Sequence, residues 1–301
     1  MRGVNVFLLY AVTVLIWGST WYAITFQFGV VAPEVSVAYR FAVAAAVLLP
    51  YCVIRGYGMR FSWRDHWRMI VLGFFLFSSN YFVFYLANME MTSGLVAVVF
   101  SSIIVANIIF GRIFLNHAIQ PRVAVGATIG IVGLSVIFWP EIQGFDLSGG
   151  GALGLVLSLI GTLLASAGNI VAVANQLRGL PVVQTNAYGM AYGAMFMAIF
   201  AWLRGAPFNF DTSAEYIYSL LYLAVFGSVL AFGSYLTLLG RIGAGKGAYA
   251  TVLFPVIALA ISTVYENYQW SSWAIVGMVL VLAGNVLVLS RGRQKQEPVR
   301  T

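Results

Sequence analysis

The chain has 301 residues, 61% of them apolar and only 8% charged, with a formal net charge of +7. A soluble domain carries roughly 45–50% apolar and about 25% charged residues. The 16 basic and 9 acidic side chains therefore cannot cover a water-exposed surface, which excludes a soluble enzyme, a disordered protein and a secreted scaffold, and the single Cys52 has no partner for an intrachain disulfide.

A helix needs about 20 mostly apolar residues to cross the hydrocarbon core. Charge-free stretches of that kind recur along the whole chain. The first span is expected at about Val4–Thr25. Met1-Arg2-Gly3 opens like a signal peptide, but the apolar run is too long and no small-residue cleavage site follows it. It is read as a retained span. The second, about Val35–Ile54, is exceptional because Arg40 lies inside it. Met69–Met89, Met91–Gly111 and Val123–Pro140 follow. The sixth span lies within Leu147–Leu177 and the seventh within Gly179–Leu203. The last three are expected at Tyr216–Gly240, Gly247–Tyr265 and Asn267–Ser290. A β-barrel would show alternating segments of about ten residues instead. The tail Arg291–Thr301 is polar and basic, and is expected to be disordered.

The expected fold is thus an all-α integral membrane protein of ten transmembrane helices. Lys and Arg in short loops set its orientation. With the N-terminus in the cytoplasm, 14 of the 16 basic residues fall inside, and Glu34, Glu90, Glu141, Asp146, Asp211, Glu215 and Glu266 fall outside. The positive charge is a topology signal, so no nucleic-acid partner is expected, and both termini are placed in the cytoplasm.

Ten spans divide into residues 1–145 and 146–290, each of five helices, followed by the tail 291–301. Five is odd, so two related halves must be inverted relative to each other. A shift of 151 residues brings Gly94 onto Gly245, Ala97 onto Ala248, Gly126 onto Gly277 and Gly133 onto Gly284. It also brings Glu90 onto Arg241, a reversal of charge that inverted topology requires. Inverted repeats with a site near the midplane are typical of secondary transporters. Gly126 and Gly130, and the run Gly154, Gly161, Gly168, are read as helix-packing positions.

Polar groups in a bilayer are costly unless they face one another or water. At about 100° per residue, Ser78, Tyr81, Tyr85 and Asn88 share one arc, as do Ser158, Thr162, Ser166 and Asn169, and Thr185, Tyr188 and Tyr192. Thr13, Trp17 and Thr20 share another. Ser101, Ser102 and Asn107 stand at depth in the fourth span, and Tyr249 and Thr251 in the ninth. These faces point to a central cavity lined by hydroxyls, amides and aromatic rings. A Ser or Thr can instead bond its own helix carbonyl. Asn80, Asn107 and Asn169 are harder to dismiss, because an amide has several groups to satisfy. Pro255 frees the carbonyl of Thr251 within the ninth span and is a candidate hinge. Arg40 is a candidate gate or anion-binding residue; snorkelling to the headgroups is the alternative.

No carboxylate is expected at mid-membrane, and His66 and His117 fall in loops. No metal site, cofactor or catalytic residue is expected, and no HExxH, GxSxG or Walker loop is present.

Two stretches resemble a known family. Ile16-Trp17-Gly18-Ser19-Thr20-Trp21 is similar to the opening segment of EamA-type members of the drug/metabolite transporter superfamily, and Ser19 enters the candidate set through it. Gly227–Trp270, with Arg241, Pro255 and Glu266, resembles that family's second-repeat pattern. The first half departs from it, with Ile104 in place of the proline and Asn116 near the position of the glutamate. The resemblance covers about residues 5–290 and implies metabolite export. The general look is similar to the YddG-type aromatic amino-acid exporters.

The expectation is a secondary transporter of the bacterial inner membrane. It would export amino acids, aromatic or large neutral ones, by alternating access, and its expected unit is a monomer in the lipid bilayer. Trp17, Ser19, Asn80, Tyr81, Tyr85, Ser101, Asn169, Tyr188, Tyr235 and Tyr249 are the candidate substrate contacts, and Arg40 and Pro255 the candidate gate and hinge. A transporter of another metabolite or drug, and a membrane enzyme or structural subunit, remain as rivals.

Overall fold

The computed structural model describes residues 5–116, 121–139, 150–235 and 250–289, and their regular structure is helical throughout. Helix α1, Val6–Ala23, is capped by Asn5, whose side-chain oxygen accepts from the Phe7 amide. It runs into a tight turn at Ile24–Gln27. Helix α2, Pro33–Ile54, starts with proline and Glu34 in its first turn, both suited to a helix N-terminus. Helix α3, Trp63–Glu90, is capped by Ser62. It begins several residues before the expected third span, because the Ser62–Asp65 cap lets Arg64 and Arg68 ride on its polar first turns. Helix α4, Ser93–Leu115, is interrupted at Ser101 and Ser102 and outlasts the expected span.

The remaining helices are α5, Pro121–Ile137; α6, Gly150–Leu177; α7, Val182–Leu203; α8, Ala214–Tyr235; α9, Ala250–Tyr265; and α10, Ser272–Leu289. Among the described residues, six segments are long and apolar enough to cross a membrane: Val6–Gln27, Pro33–Ile54, Trp63–Glu90, Ser93–Leu115, Gly151–Leu177 and Ala214–Tyr235. Val125–Ile137, Leu253–Tyr265 and Ser272–Leu287 are shorter apolar helices. Large apolar side chains such as Phe7, Leu15, Ile54, Trp202, Val264 and Val279 stand exposed. In water such a surface would associate; against lipid tails it is the solvated face.

Among the described residues, two helices carry π-helical turns. A π-helical turn spans Phe75–Ser79 in α3, and a longer one spans Tyr222–Leu230 in α8. Among the described residues, Asn116 at φ 56° after α4 and Asn267 at φ 55° after α9 take the left-handed conformation and terminate helical runs.

The helices pack in pairs: α5 on α10, α2 on α7 and α8, α3 on α6 and α7, α1 on α9, and α4 on α6 and α9. Burial of apolar area gives little drive between helices in lipid, so close backbone approach carries the packing. On the α5–α10 contact, a Cβ added to Gly133 would lie 2.8 Å from the Gly277 carbonyl oxygen, and one on Gly284 would lie 2.6 Å from that of Gly126. The face of α6 bearing Gly154, Gly161 and Gly168 meets Met91, Phe84 and Leu76 in turn. The largest buried cluster lies between α2, α3, α7 and α8, around Phe41, Phe77, Tyr85, Met190 and Leu223.

Candidate functional site

Arg40 is 1% exposed. It does not snorkel; it points into the bundle from the second turn of α2. Its guanidinium carbon sits 4.5 Å from the ring centre of Tyr81 and 5.4 Å from that of Phe41. Its Nε donates a long hydrogen bond, 3.4 Å, to the Ser228 hydroxyl on α8. No carboxylate pairs with it among the described residues, whose ion pairs are Arg68–Asp65 and Arg204–Glu34. Its Nη1 and the adjacent Tyr85 hydroxyl are both buried without an aligned hydrogen-bond partner.

The rings beside Arg40 continue as a ladder. Phe41 meets Phe77 at 5.5 Å, Phe77 meets Phe232 at 5.8 Å, and Phe232 meets Trp17 at 5.0 Å. Trp17 also packs against Tyr235 at 5.2 Å and Phe254 at 5.4 Å. Its Nε1 donates to the Gly227 carbonyl at 3.0 Å. Gly227 stands between the two centres: a Cβ there would lie 2.9 Å from Thr20 Cγ2 and 3.4 Å from Arg40 Nη2. Trp17, Arg40, Tyr81, Tyr85 and Tyr235 are thus gathered where α1, α2, α3, α8 and α9 meet. The π-helical stretch of α8 supplies Gly227 and Ser228 to this centre.

The other candidates lie elsewhere. Ser19 donates to its own helix at Leu15 and lies 2.7 Å from the Tyr222 hydroxyl. Ser101 donates to the Val98 carbonyl at 2.7 Å. Asn80 is buried on α3, and its Oδ1 has no partner. Asn169 Nδ2 donates to Asn107 Oδ1 at 3.3 Å, which joins α6 to α4. Tyr188 stands toward the N-terminal end of α7: its hydroxyl donates to the Met59 carbonyl at 2.9 Å, and its ring meets Phe61 and His66. Tyr249 lies outside the described residues. Pro255 is carried within one continuous helix, α9, next to Phe254.

Polar contacts tie helices together at both ends of the bundle. At the end of Glu34 and Glu266, the Glu34 carboxylate accepts from Arg204 at 3.2 Å. Glu266 accepts from the Ser93 amide at 3.1 Å and its hydroxyl at 2.7 Å, capping α4. Gln27 Nε2 donates to Ser219 Oγ and to the Tyr216 carbonyl. At the opposite end His66 Nδ1 and the Tyr192 hydroxyl are 2.8 Å apart. The arc arguments did not select Ser228, Phe232, Gln27 or His66. Gln27 could have been noticed as an amide at a span end, but the partners of Ser228 and His66 are set only by tertiary packing.

Comparison with known proteins identifies the family. The chain matches the EamA-like transporter family over residues 5–139 and 152–290 and belongs to that family. It is 24% identical to protein PagO of Salmonella typhimurium, over 96% of this chain and 94% of that protein. It is 25% identical to the uncharacterized inner membrane transporter YedA of Escherichia coli, over 91% and 89%. It is 23% identical to a probable amino-acid metabolite efflux pump of Salmonella typhimurium, over 90% of each. A solved crystal structure superposes with a TM-score of 0.67 at 17% identity, covering 93% of this chain and 94% of its own. The chain is a membrane transporter of small molecules, not an enzyme.

Proposed function

We propose, from that membership, that the chain exports amino acids from the bacterial cytoplasm across the inner membrane by alternating access. The substrates are aromatic or large neutral amino acids, and both termini are cytoplasmic. The observation that carries this reading is the aromatic ladder ending at Trp17, which joins α1, α2 and α3 to α8 and α9. Aromatic side chains are favourable partners for an aromatic ligand. The relative named as a probable amino-acid metabolite efflux pump supports the same substrate class.

Ten helices in two inverted repeats are the architecture that alternating access requires here. Three correspondences at a shift of 151 residues support it. The left-handed Asn116 maps onto the left-handed Asn267. The π turn at Phe75–Ser79 maps into the π stretch Tyr222–Leu230. The glycines exchange partners, since Gly133 meets Gly277 while Gly126 meets Gly284. A two-fold axis between α5 and α10 would produce that exchange.

The test is efflux from whole cells. Cells producing the protein are loaded with labelled phenylalanine, threonine or lysine and then diluted. Faster loss of phenylalanine than from cells carrying Trp17→Ala is the expected result. Equal loss of all three amino acids would remove the amino-acid assignment and favour another metabolite.

A further inference from the structure

We propose that Arg40 and Tyr85 form a carboxylate-binding subsite at the centre of the bundle, reserved for the substrate's own carboxyl group. The identity of the substrate rests on the amino-acid reading above; the anion site rests on the geometry alone.

A charged side chain in a membrane-spanning helix is expensive and is retained where it meets a counter-charge or a pathway. Arg40 is 1% exposed and has no acidic partner among the described residues. A guanidinium carries five N–H donors in a rigid plane. The protein uses Nε, weakly, on Ser228, and leaves Nη1 buried and unpaired. The Tyr85 hydroxyl lies against the guanidinium and has no other hydrogen-bond partner. A phenol whose oxygen faces the guanidinium still has its own O–H to give, and a carboxylate accepts from a guanidinium fork and a phenol together.

The surroundings hold the fork still. The faces of Tyr81 and Phe41 fix its plane through cation–π contact. Gly227 keeps the neighbouring wall low, because a methyl there would stand 3.4 Å from Nη2. From this point the rings of Phe77 and Phe232 lead to Trp17. A substrate with its carboxylate on Arg40 would extend its side chain along that ladder. The guanidinium is then neutralised only when the site is filled, which makes the carboxylate the group that the transporter selects.

The test is ligand-dependent melting of the purified full-length protein in detergent, in low chloride. The probes are phenylalanine, phenylalaninamide, phenylacetate, inorganic phosphate and phosphatidylglycerol. Phenylalanine and phenylacetate should stabilise saturably and phenylalaninamide should not. Arg40→Gln should weaken phenylalanine binding about thirty-fold or more, the loss expected for removing one side of a buried charge pair. Tyr85→Phe should weaken it several-fold, and it carries the test together with the acid–amide contrast if Arg40→Gln fails to fold. Stabilisation by phenylacetate but by no amino acid would keep the anion site and overturn the amino-acid substrate. Equal stabilisation by the amide, an unchanged response in Arg40→Gln, no response to any carboxylate, or a response to phosphate or phosphatidylglycerol alone would each overturn the subsite.

Discussion

The indole of Trp17 hydrogen-bonds the Gly227 carbonyl at 3.0 Å, across 210 residues of sequence. The acceptor lies in the π-helical stretch of α8, where the regular ladder of helix hydrogen bonds is disrupted. The bond ties the middle of α1 to the same turn that presents Ser228 to Arg40. Any motion of α8 is therefore felt by both centres.

That link gives the first prediction. Trp17→Phe keeps a ring among Phe232, Tyr235 and Phe254 but removes the donor, a loss of about 1 kcal/mol. It should leave the amount of protein in the membrane unchanged and lower transport. Trp17→Ala also empties the aromatic contact and should cost about 3–5 kcal/mol. Uptake and melting temperature are measured together; full transport by both variants would remove Trp17 from the site.

The glycine contacts give a second prediction with its own control. Gly277→Ala places a methyl 2.6 Å from the Gly133 carbonyl oxygen. Relieving that clash should destabilise the protein by about 1–3 kcal/mol. A Cβ on Gly130 meets nothing within 4 Å. Gly130→Ala should therefore be neutral, or stabilising by up to about 1 kcal/mol through helix propensity. Equal melting temperatures for the two variants would contradict the α5–α10 packing.

Glu266 caps α4 through Ser93, with its hydroxyl 2.7 Å from Oε2. Glu266→Gln keeps one acceptor oxygen and removes the charge that the helix N-terminus favours, a loss of about 0.3–1 kcal/mol. If this contact gates its end of the bundle, Ser93→Cys with Glu266→Cys, in a Cys52→Ala background, should be blocked by a short bifunctional thiol reagent. Each single cysteine variant should remain active under the same treatment. Transport by the cross-linked pair at the control rate would show that this end does not open.

Asn169 and Asn107 make a fourth test. Either alanine variant should lower transport without changing expression. The two losses should be non-additive, with a coupling of about 0.5–1 kcal/mol, since the amides share one hydrogen bond at 3.3 Å. Strict additivity would mean that the bond is not formed in the working protein.

Much of the helix order was legible because charge-free runs and Gly, Pro and Asn punctuation are local signals. The polar faces were less informative. Thr13, Thr20, Ser78, Ser101, Ser102, Thr162 and Thr185 all donate to a carbonyl three or four residues back in their own helix. A periodicity of hydroxyls cannot separate that use from a cavity wall. Tyr188 shares an arc with Thr185 and Tyr192, yet an arc does not fix depth, and its hydroxyl ends on Met59. Arg40 was visible as a charge inside a span. Its burial depends on Tyr81 and on Ser228, 188 residues away, so its inward direction was not readable. The π turns had no sequence signal.

The most direct measurement is flux through the purified protein alone. Proteoliposomes preloaded with unlabelled phenylalanine are given labelled phenylalanine outside. The account predicts saturable counterflow above that of empty liposomes, inhibited by tryptophan and not by lysine or a quaternary ammonium dye. Counterflow no greater than in empty liposomes, for phenylalanine and every other amino acid tried, would contradict it.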